Sequence, residues 1–338
     1  RAFRDSASVR RCDPADMRVK CHLESTDRTR REPRAPEVSS ARTVRVSVGM
    51  PVYNGGAALP SAIESVLNQT EADLELVICD NASTDGSYEV CMEYARLDHR
   101  IRLLRNEINA GGNPNYRRVA LEARGRYFKW SSANDLIAPD FLERCTAALD
   151  EEPGAALAYG RTILFTTAPD EGTEHLDDLD LRGTDPVERF IAVTQRLKLN
   201  NVINGVIRRD MLLRTGVMPD YLSSDNVVLA ELALHGTFIE VPQTRFYRRM
   251  TPSSATSLQS AEEVLKHHYP RLRPGLLFQN WQMTAGYFAA ALRAPLTAEQ
   301  RARALLHCTK LAYWAVPELW RDVSRAATLL RRRARGNY

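Results

Sequence analysis

The sequence lacks the signatures that announce most common chemistries. Its six cysteines (Cys12, Cys21, Cys79, Cys91, Cys145 and Cys308) form no C-x-x-C pair and have no zinc-type spacing with histidine. That argues against a zinc site or a dithiol redox centre. Several stand inside apolar patterns, as buried reduced thiols do, so the expected compartment is the cytoplasm. No apolar run approaches the length of a membrane span, and the first residues hold no hydrophobic region of signal-peptide type. No G-x-G-x-x-G follows the first apolar strand, and neither G-x-x-x-x-G-K-[ST] nor G-x-S-x-G occurs. A nicotinamide Rossmann enzyme, a P-loop nucleotidase and an α/β hydrolase therefore each lose their fingerprint.

Net charge is also missing where a domain would use it. The net charge of +4 is held by residues 1–43, which contain ten arginines and one lysine against seven acids. The remainder is balanced, with a second basic cluster at its end, Arg331-Arg332-Arg333-Ala334-Arg335. A nucleic-acid binder carries its basic residues on the folded domain, so no nucleic-acid partner is expected. Residues 1–43 lack hydrophobic periodicity and read as a disordered basic segment. At the other end, an amphipathic helix would give the arginines a peripheral contact with anionic membrane; a solvated end is the plainer reading.

What is present is an alternating pattern. At 338 residues and 44% apolar, the chain is long enough for one large α/β domain with an appendage. Strand patterns at 44–52, 74–80, 101–104 and 127–130 alternate with helical spacing, such as Leu59, Ile63, Val66 and Leu67. This predicts a mainly parallel sheet covered by helices on both faces. A further strand is expected at 156–160, an acidic loop at 166–184, helices near 186–199, 208–215 and 225–235, and a strand over "TFIEVP". From about 261 the pattern is helical. Trp281, Tyr287, Phe288, Tyr313 and Trp314 read as core of those helices, and Asp177 to Asp180 as a solvated run. His267 and His268 have no partner acids at ligand spacing and read as surface or packing residues.

Ligands of such sheets bind beyond the C-terminal strand ends, and two acids stand there, Asp80 and Asp135. A carboxylate ending a buried strand must be hydrogen-bonded or must face a solvated cleft. In a cleft, Asp80 would accept an N–H from a nucleobase edge. In "CDNASTDGS", Ser83 and Asp85 read as caps of the next helix. Asp135, in "YFKWSSANDLIAPDFLE", either holds a metal and a diphosphate or only caps a turn.

Taken together, "VSVGMPVYNGG", "LPSAIESVLNQT", "LELVICDNASTDGS", "NAGGNPNY" and "ARGRYFKWSSANDLIAPDFLE" resemble the family 2 nucleotide-sugar glycosyltransferases, which have the GT-A fold. The likeness runs from residue 44 to about 250, leaving 251–338 as a C-terminal helical extension. It implies an enzyme that moves a sugar from a nucleoside diphosphate donor, UDP favoured, to a hydroxyl acceptor with inversion. By the same likeness, Pro51 and Tyr53 line the nucleotide pocket and Asp80 binds the base. Asn115 and Arg118 would lie near the diphosphate. Asn134 and Asp135 fall at the family's Asp-x-Asp metal motif, where this chain has only one acid. A divalent cation (Mn²⁺ or Mg²⁺) bridging two phosphates prefers several hard anionic oxygens, so weak metal binding is expected. Arg248 and Arg249 would partly substitute for it by stabilising the leaving diphosphate. Asp225, before an apolar helix, is the candidate base, and Asn204 and Gly205 are expected to line the acceptor pocket. Ser223, Ser224 and Asp225 would also serve as helix N-caps. Two rival functions are a nucleotidyltransferase, whose Gly-rich loop is missing here, and a degenerate, non-catalytic nucleotide-sugar binder.

Overall fold

A computed structural model of the chain describes residues 44–250 and 278–334. The basic segment 1–43, the pair His267-His268 and Arg335 fall outside the described residues. β1 (Val46–Val52), β2 (Leu74–Asp80) and β4 (Tyr127–Trp130) are buried along their whole length. Such continuous apolar runs belong to strands covered on both faces. β1 pairs in parallel with β2 and β4, and β2 with β3 (Ile101–Arg105). Their crossovers are α1 (Leu59–Leu67), α2 (Ser87–Leu97) and α3 (Gly112–Glu122). Gly49 allows close packing across β1, since a Cβ there would lie 2.8 Å from both the Phe128 ring and Val119.

The second half of the sheet is mixed. β8 (Val206–Arg208) runs antiparallel between β4 and β6 (Ala155–Phe165), and β6 pairs in parallel with β9 (Thr237–Arg249). Short β5 (Leu136–Ile137) and β7 (Thr173–His175) pair antiparallel with β9 and β6 respectively. The full order is β3-β2-β1-β4-β8-β6-β9-β5, with β7 beside β6. The strand order reverses between β1 and β4, so the ends of these two strands flank the switch-point crevice. Around the second half lie α4 (Phe141–Glu151), α5 (Pro186–Arg196), the single turn α6 (Arg209–Leu212) and α7 (Ser224–His235). α5 starts as its sequence dictates: Asp185 accepts the N–H groups of Val187 and Glu188, and Pro186 occupies the first turn.

β9 corrects one expectation. The strand does not stop at Pro242 but continues to Arg249, because its register with β6 jumps from Gly160–Val241 to Arg161–Arg245. The three extra residues, Pro242 to Thr244, form an irregularity that tolerates proline within a strand.

The C-terminal helices are α8 (Gln279–Arg293), α9 (Ala298–Trp314) and α10 (Val316–Ala334). α8 packs on α7, burying Ala290 and Ala291. The buried Glu231 of α7 accepts two bonds from Arg293 of α8, at 2.7 and 2.9 Å. Tyr287 and Phe288 pack against this core as expected. Trp281, Tyr313 and Trp314 do not; they lie on the surface.

Candidate active site

The loops after β1 and β2 are stitched together by side chains that the sequence marks only as turn residues. Asn54, in a left-handed conformation (φ 50°), donates its N–H to Ser83 Oγ at 3.0 Å, and its Oδ1 accepts the Thr84 N–H at 2.9 Å. Gly55 N–H reaches Ser87 Oγ and Gly56 N–H reaches Asp85 Oδ2. Asp85 also accepts the N–H and hydroxyl of Ser87. Burial works against its charge, but the bonds from Ser87 and Gly56 outweigh that and hold its carboxyl below the ordinary range. Pro51 is buried near the end of β1, whereas Tyr53 stands exposed beyond it.

Asp80 is fully buried at the end of β2. It accepts the Ser83 N–H at 3.3 Å and pairs with Arg105 Nε at 3.2 Å. Arg105 in turn lies over the Tyr88 ring at 3.9 Å. Next to it an asparagine network closes the strand ends. Asn81 bonds Asn106, Asn109 and the backbone of Ala110 and Gly111. Asn115 donates to the Cys79 carbonyl at 2.9 Å and accepts from Asn106. Arg118 bonds the Arg105 carbonyl at 3.1 Å and the Asn106 side chain. Both Asn115 and Arg118 thus fasten the ends of β2 and β3, which is the first use the fold makes of them.

Asp135 sits in the turn after β4 and is buried. Its Oδ1 accepts the Arg249 N–H at 2.9 Å. Arg249 Nε donates to the Asn134 carbonyl at 3.2 Å, and its guanidinium stacks 4.6 Å from the Phe165 ring. Arg249 therefore pins the turn to β9. Burial pushes the Asp135 carboxyl above the ordinary value, opposed by the Arg249 N–H, Arg248, Lys129 and Ser132. Lys129 was not legible in sequence as a site residue. Its ammonium is fully buried between the Phe141 and Phe246 rings, donates to the Trp130 carbonyl at 2.8 Å, and is pushed down to about 8 by burial.

Asp225 lies in the first turn of α7. The N-cap is Ser223, in a left-handed conformation and with no side-chain capping bond, so none of the three candidate residues caps through its side chain. Burial raises the Asp225 carboxyl, opposed by the Asn200 amide, by the Asn226 N–H and by its own. The segment carrying it is tied to the first half of the sheet by Asn113, whose Nδ2 reaches the Pro219 carbonyl, the Tyr221 carbonyl at 2.6 Å and Ser224 Oγ at 3.0 Å.

One tyrosine lies within electrostatic reach of both acids. Tyr116, bonded to Ser132 at 3.3 Å, has its hydroxyl pushed up by burial and further by Asp135 and Asp225, with Arg248 opposing. Arg248 is oriented by a relay that sequence reasoning missed. It donates to Asn201 Oδ1 at 2.6 Å, Asn201 donates to Asp177 Oδ1 at 2.9 Å, and Asp177 Oδ2 accepts the Thr162 hydroxyl at 2.7 Å. Asp177 is buried, which corrects its reading as part of a solvated run. Asn204 and Gly205 do not join this group. Asn204 bonds the Asn201 carbonyl, and a Cβ on Gly205 would lie 2.6 Å from the Ala158 carbonyl. Gly205 answers to strand packing, and the residues facing Arg248 and Asp225 are Asn201 and Asn200.

Among the described residues no three His, Cys, Asp or Glu side chains converge on a point that could hold a metal ion. Asp135 is a single carboxylate with one oxygen already bonded and with cationic side chains acting on it. Such a donor fits a divalent cation only where a diphosphate and water supply the remaining oxygens, which is how Mg²⁺-type ions are commonly held. Nor is any described helix long and apolar enough to cross a membrane.

Comparison with known proteins agrees with this geometry. Residues 47–214 match the profile described as "Glycosyl transferase family 2". Glycosyltransferase GlyG of Streptococcus pneumoniae is 31% identical over 108 residues, covering 32% of this chain and 36% of GlyG. The uncharacterized glycosyltransferase YibD of Escherichia coli is 29% identical over 239 residues, covering 68% of this chain and 69% of YibD. The chain thus spans about a third of one relative and two thirds of the other. Among solved structures, S. aureus TarS in complex with UDP-GlcNAc aligns with a TM-score of 0.54 at 13% identity, over 78% of this chain and 71% of that one. At that identity the likeness is one of fold, the GT-A arrangement of sheet and helices. The matched profile covers β1 through β8 and the acids at their ends, and on these grounds residues 47–214 are a glycosyl transferase family 2 segment.

Proposed function

We propose that the protein transfers a sugar from a nucleoside diphosphate donor to a hydroxyl acceptor, with inversion at the anomeric carbon. The observation that carries this reading is that Asp135, Asp225 and Arg248 all lie within electrostatic reach of the buried Tyr116. Both carboxyls are raised by burial, and both act on Tyr116 beside Arg248 at the C-terminal strand ends. The nucleoside lies against Tyr53 and Asp80, and the diphosphate lies between Asp135 and Arg248. The Arg248 guanidinium, held in place through Asn201, meets the negative charge that grows on the leaving diphosphate. Asp225 takes the proton of the acceptor hydroxyl as its oxygen attacks the anomeric carbon from the face opposite the leaving group. A carboxylate with a raised pKa is the stronger proton acceptor once ionised. A divalent cation, when bound, would be held by Asp135 with Asn134 and would neutralise the diphosphate.

UDP-GlcNAc, the ligand of the TarS structure, is the donor to try first. Calorimetric titration of UDP into wild type, Asp80→Ala and Asp135→Ala, with and without Mn²⁺, tests the binding half of the proposal. UDP is expected to bind wild type and to weaken in both variants, with the Mn²⁺ effect confined to proteins that retain Asp135. Failure of UDP and other nucleoside diphosphates to bind would sink the reading. Tight binding with no turnover on any acceptor would point to a non-catalytic binder, a reading that the lone acid at the metal position keeps open.

A further inference from the structure

The C-terminal helices present a surface on which none of the residues named for sugar transfer lies. The chain has four tryptophans. Trp130 is buried in the sheet, but Trp281, Trp314 and Trp320 are 48%, 58% and 67% exposed, and Tyr313 is 76% exposed. On α10 the exposed apolar residues Val316, Trp320 and Val323 recur at i, i+4 and i+7 and so form one stripe. Leu319, Asp322 and Ala326 form the adjoining buried face. The helix is anchored with that stripe turned outward. Asp322, fully buried, accepts the Asn280 N–H at 2.9 Å and its side-chain amide at 3.0 Å, and Trp281 Nε1 bonds the Leu319 carbonyl at 3.1 Å. Trp281 is thus fixed at the surface, and the face of the helix that carries Trp320 is fixed by the buried Asp322.

Charge identifies what covers the stripe. Residues 316–338 contain six arginines against two acids, and one of those acids is the buried Asp322. Arg321, paired with Glu318, and Arg325 are exposed beside the stripe, and the sequence adds Arg331, Arg332, Arg333 and Arg335. The balance of residues 44–315 is the reverse, with four more acids than basic residues. The segment 1–43 is itself arginine-rich and would be repelled, and a second copy would set the same arginines against one another. Base stacking on nucleic acid would account for the tryptophans but not for the valines between them. A tryptophan–aliphatic stripe flanked by arginines matches the boundary between lipid headgroups and acyl chains.

We infer that α10 and the aromatic side chains beside it lie on an anionic lipid surface. Val316, Trp320 and Val323 enter the headgroup–acyl boundary with Arg325 beside them, and the positive charge of the sequence that follows adds to the attraction for anionic headgroups. This inference does not rest on the donor or mechanism proposed above.

Vesicle co-sedimentation of the full chain tests it, with phosphatidylcholine alone and with phosphatidylcholine–phosphatidylglycerol mixtures. Binding to the anionic vesicles is expected, with a blue shift of tryptophan emission and release by high salt. Neutral vesicles should bind at least about tenfold more weakly. Replacing Arg331, Arg332 and Arg333 with serine should weaken anionic binding by about a hundredfold, and Trp320→Ser by about tenfold. Because Trp320 is exposed, the second variant keeps its fold, which its melting temperature checks. Absence of vesicle binding, or binding indifferent to both substitutions, overturns the inference. So does a dimer in light scattering that Trp320→Ser dissolves, because a second copy would then be the occupant, and so does binding only to single-stranded RNA.

Discussion

The two rims of the cleft are built from the same residue types and use them in opposite ways. On the rim formed by the loops after β1, β2 and β3, polar side chains bond one another. Asn81, Asn106 and Asn115 form a closed network, Asp80 is neutralised by Arg105, and Asp85 is held below the ordinary carboxylate range. On the rim formed by the turn after β4, the end of β9 and the start of α7, the charges are desolvated. Asp135 and Asp225 are raised and Lys129 is lowered, each by burial first. A satisfied network is stiff and suits recognition. Desolvated charges are the arrangement that chemistry needs. On the function proposed above, the first rim would bind and the second would move protons and charge.

The sharpest way to break that contrast is Asp225→Asn. Turnover should fall by about 10²- to 10⁴-fold, the size of a lost general base, while calorimetry shows UDP affinity unchanged. An equal loss of UDP affinity would mean that the rims are not separable. The same residue sets the pH response. A raised carboxyl is ionised only above the ordinary carboxylate range, so kcat/KM should fall as pH drops through that higher value, and the limb should vanish in Asp225→Asn. Ionising a raised carboxyl also opposes folding, so Asp135 and Asp225 contribute stability when protonated and lose it as pH rises through their folded values.

On the recognition rim, Asp80→Ala should weaken UDP by about 10- to 100-fold, the worth of a charged hydrogen bond, with turnover at saturation nearly retained. Asp177→Asn should act more gently, lowering turnover by about fivefold. It disturbs only the orientation of Arg248, and nucleotide affinity should change less than turnover, because the charge that arginine meets grows in the transition state. The smallest effect expected is that of Asp85→Asn. It removes charge from a surface clasp and should lower stability by less than about 1 kcal/mol, chiefly at neutral pH. A lowered carboxyl contributes stability above its unfolded value and loses it as pH falls through its folded one. Chemical denaturation at two pH values separates these cases.

Much of the first half of the molecule was legible in sequence. The mainly apolar runs over 46–52 and 74–80 read as strands buried on both faces, and the acid closing the second run stands at a C-terminal strand end. The second half hid its logic in long-range pairings. Asp177 looked solvated among neighbouring acids because its partners, Thr162 and Asn201, are fifteen and twenty-four residues away. Pro242 looked like the end of a strand because only pairing with β6 reveals the irregularity that accommodates it. Lys129 read as an ordinary strand position, since nothing local says that two phenylalanine rings will enclose it. Helical spacing likewise marked Trp281 and Trp314 as apolar positions without saying that their face would remain open.

The bond between Glu231 and Arg293 has a consequence for how the molecule comes apart. Arg293 lies well beyond the sheet, yet its partner is a buried carboxylate on the same helix as Asp225. A chain cut after Arg249 would take Arg293 from Glu231 and leave it the Gly216 N–H, a loss of roughly 2 kcal/mol, and would uncover the α7 face on which α8 rests. Heating should therefore melt the sheet and the C-terminal helices in a single transition, and the shortened chain should lose the cleft itself rather than an accessory to it.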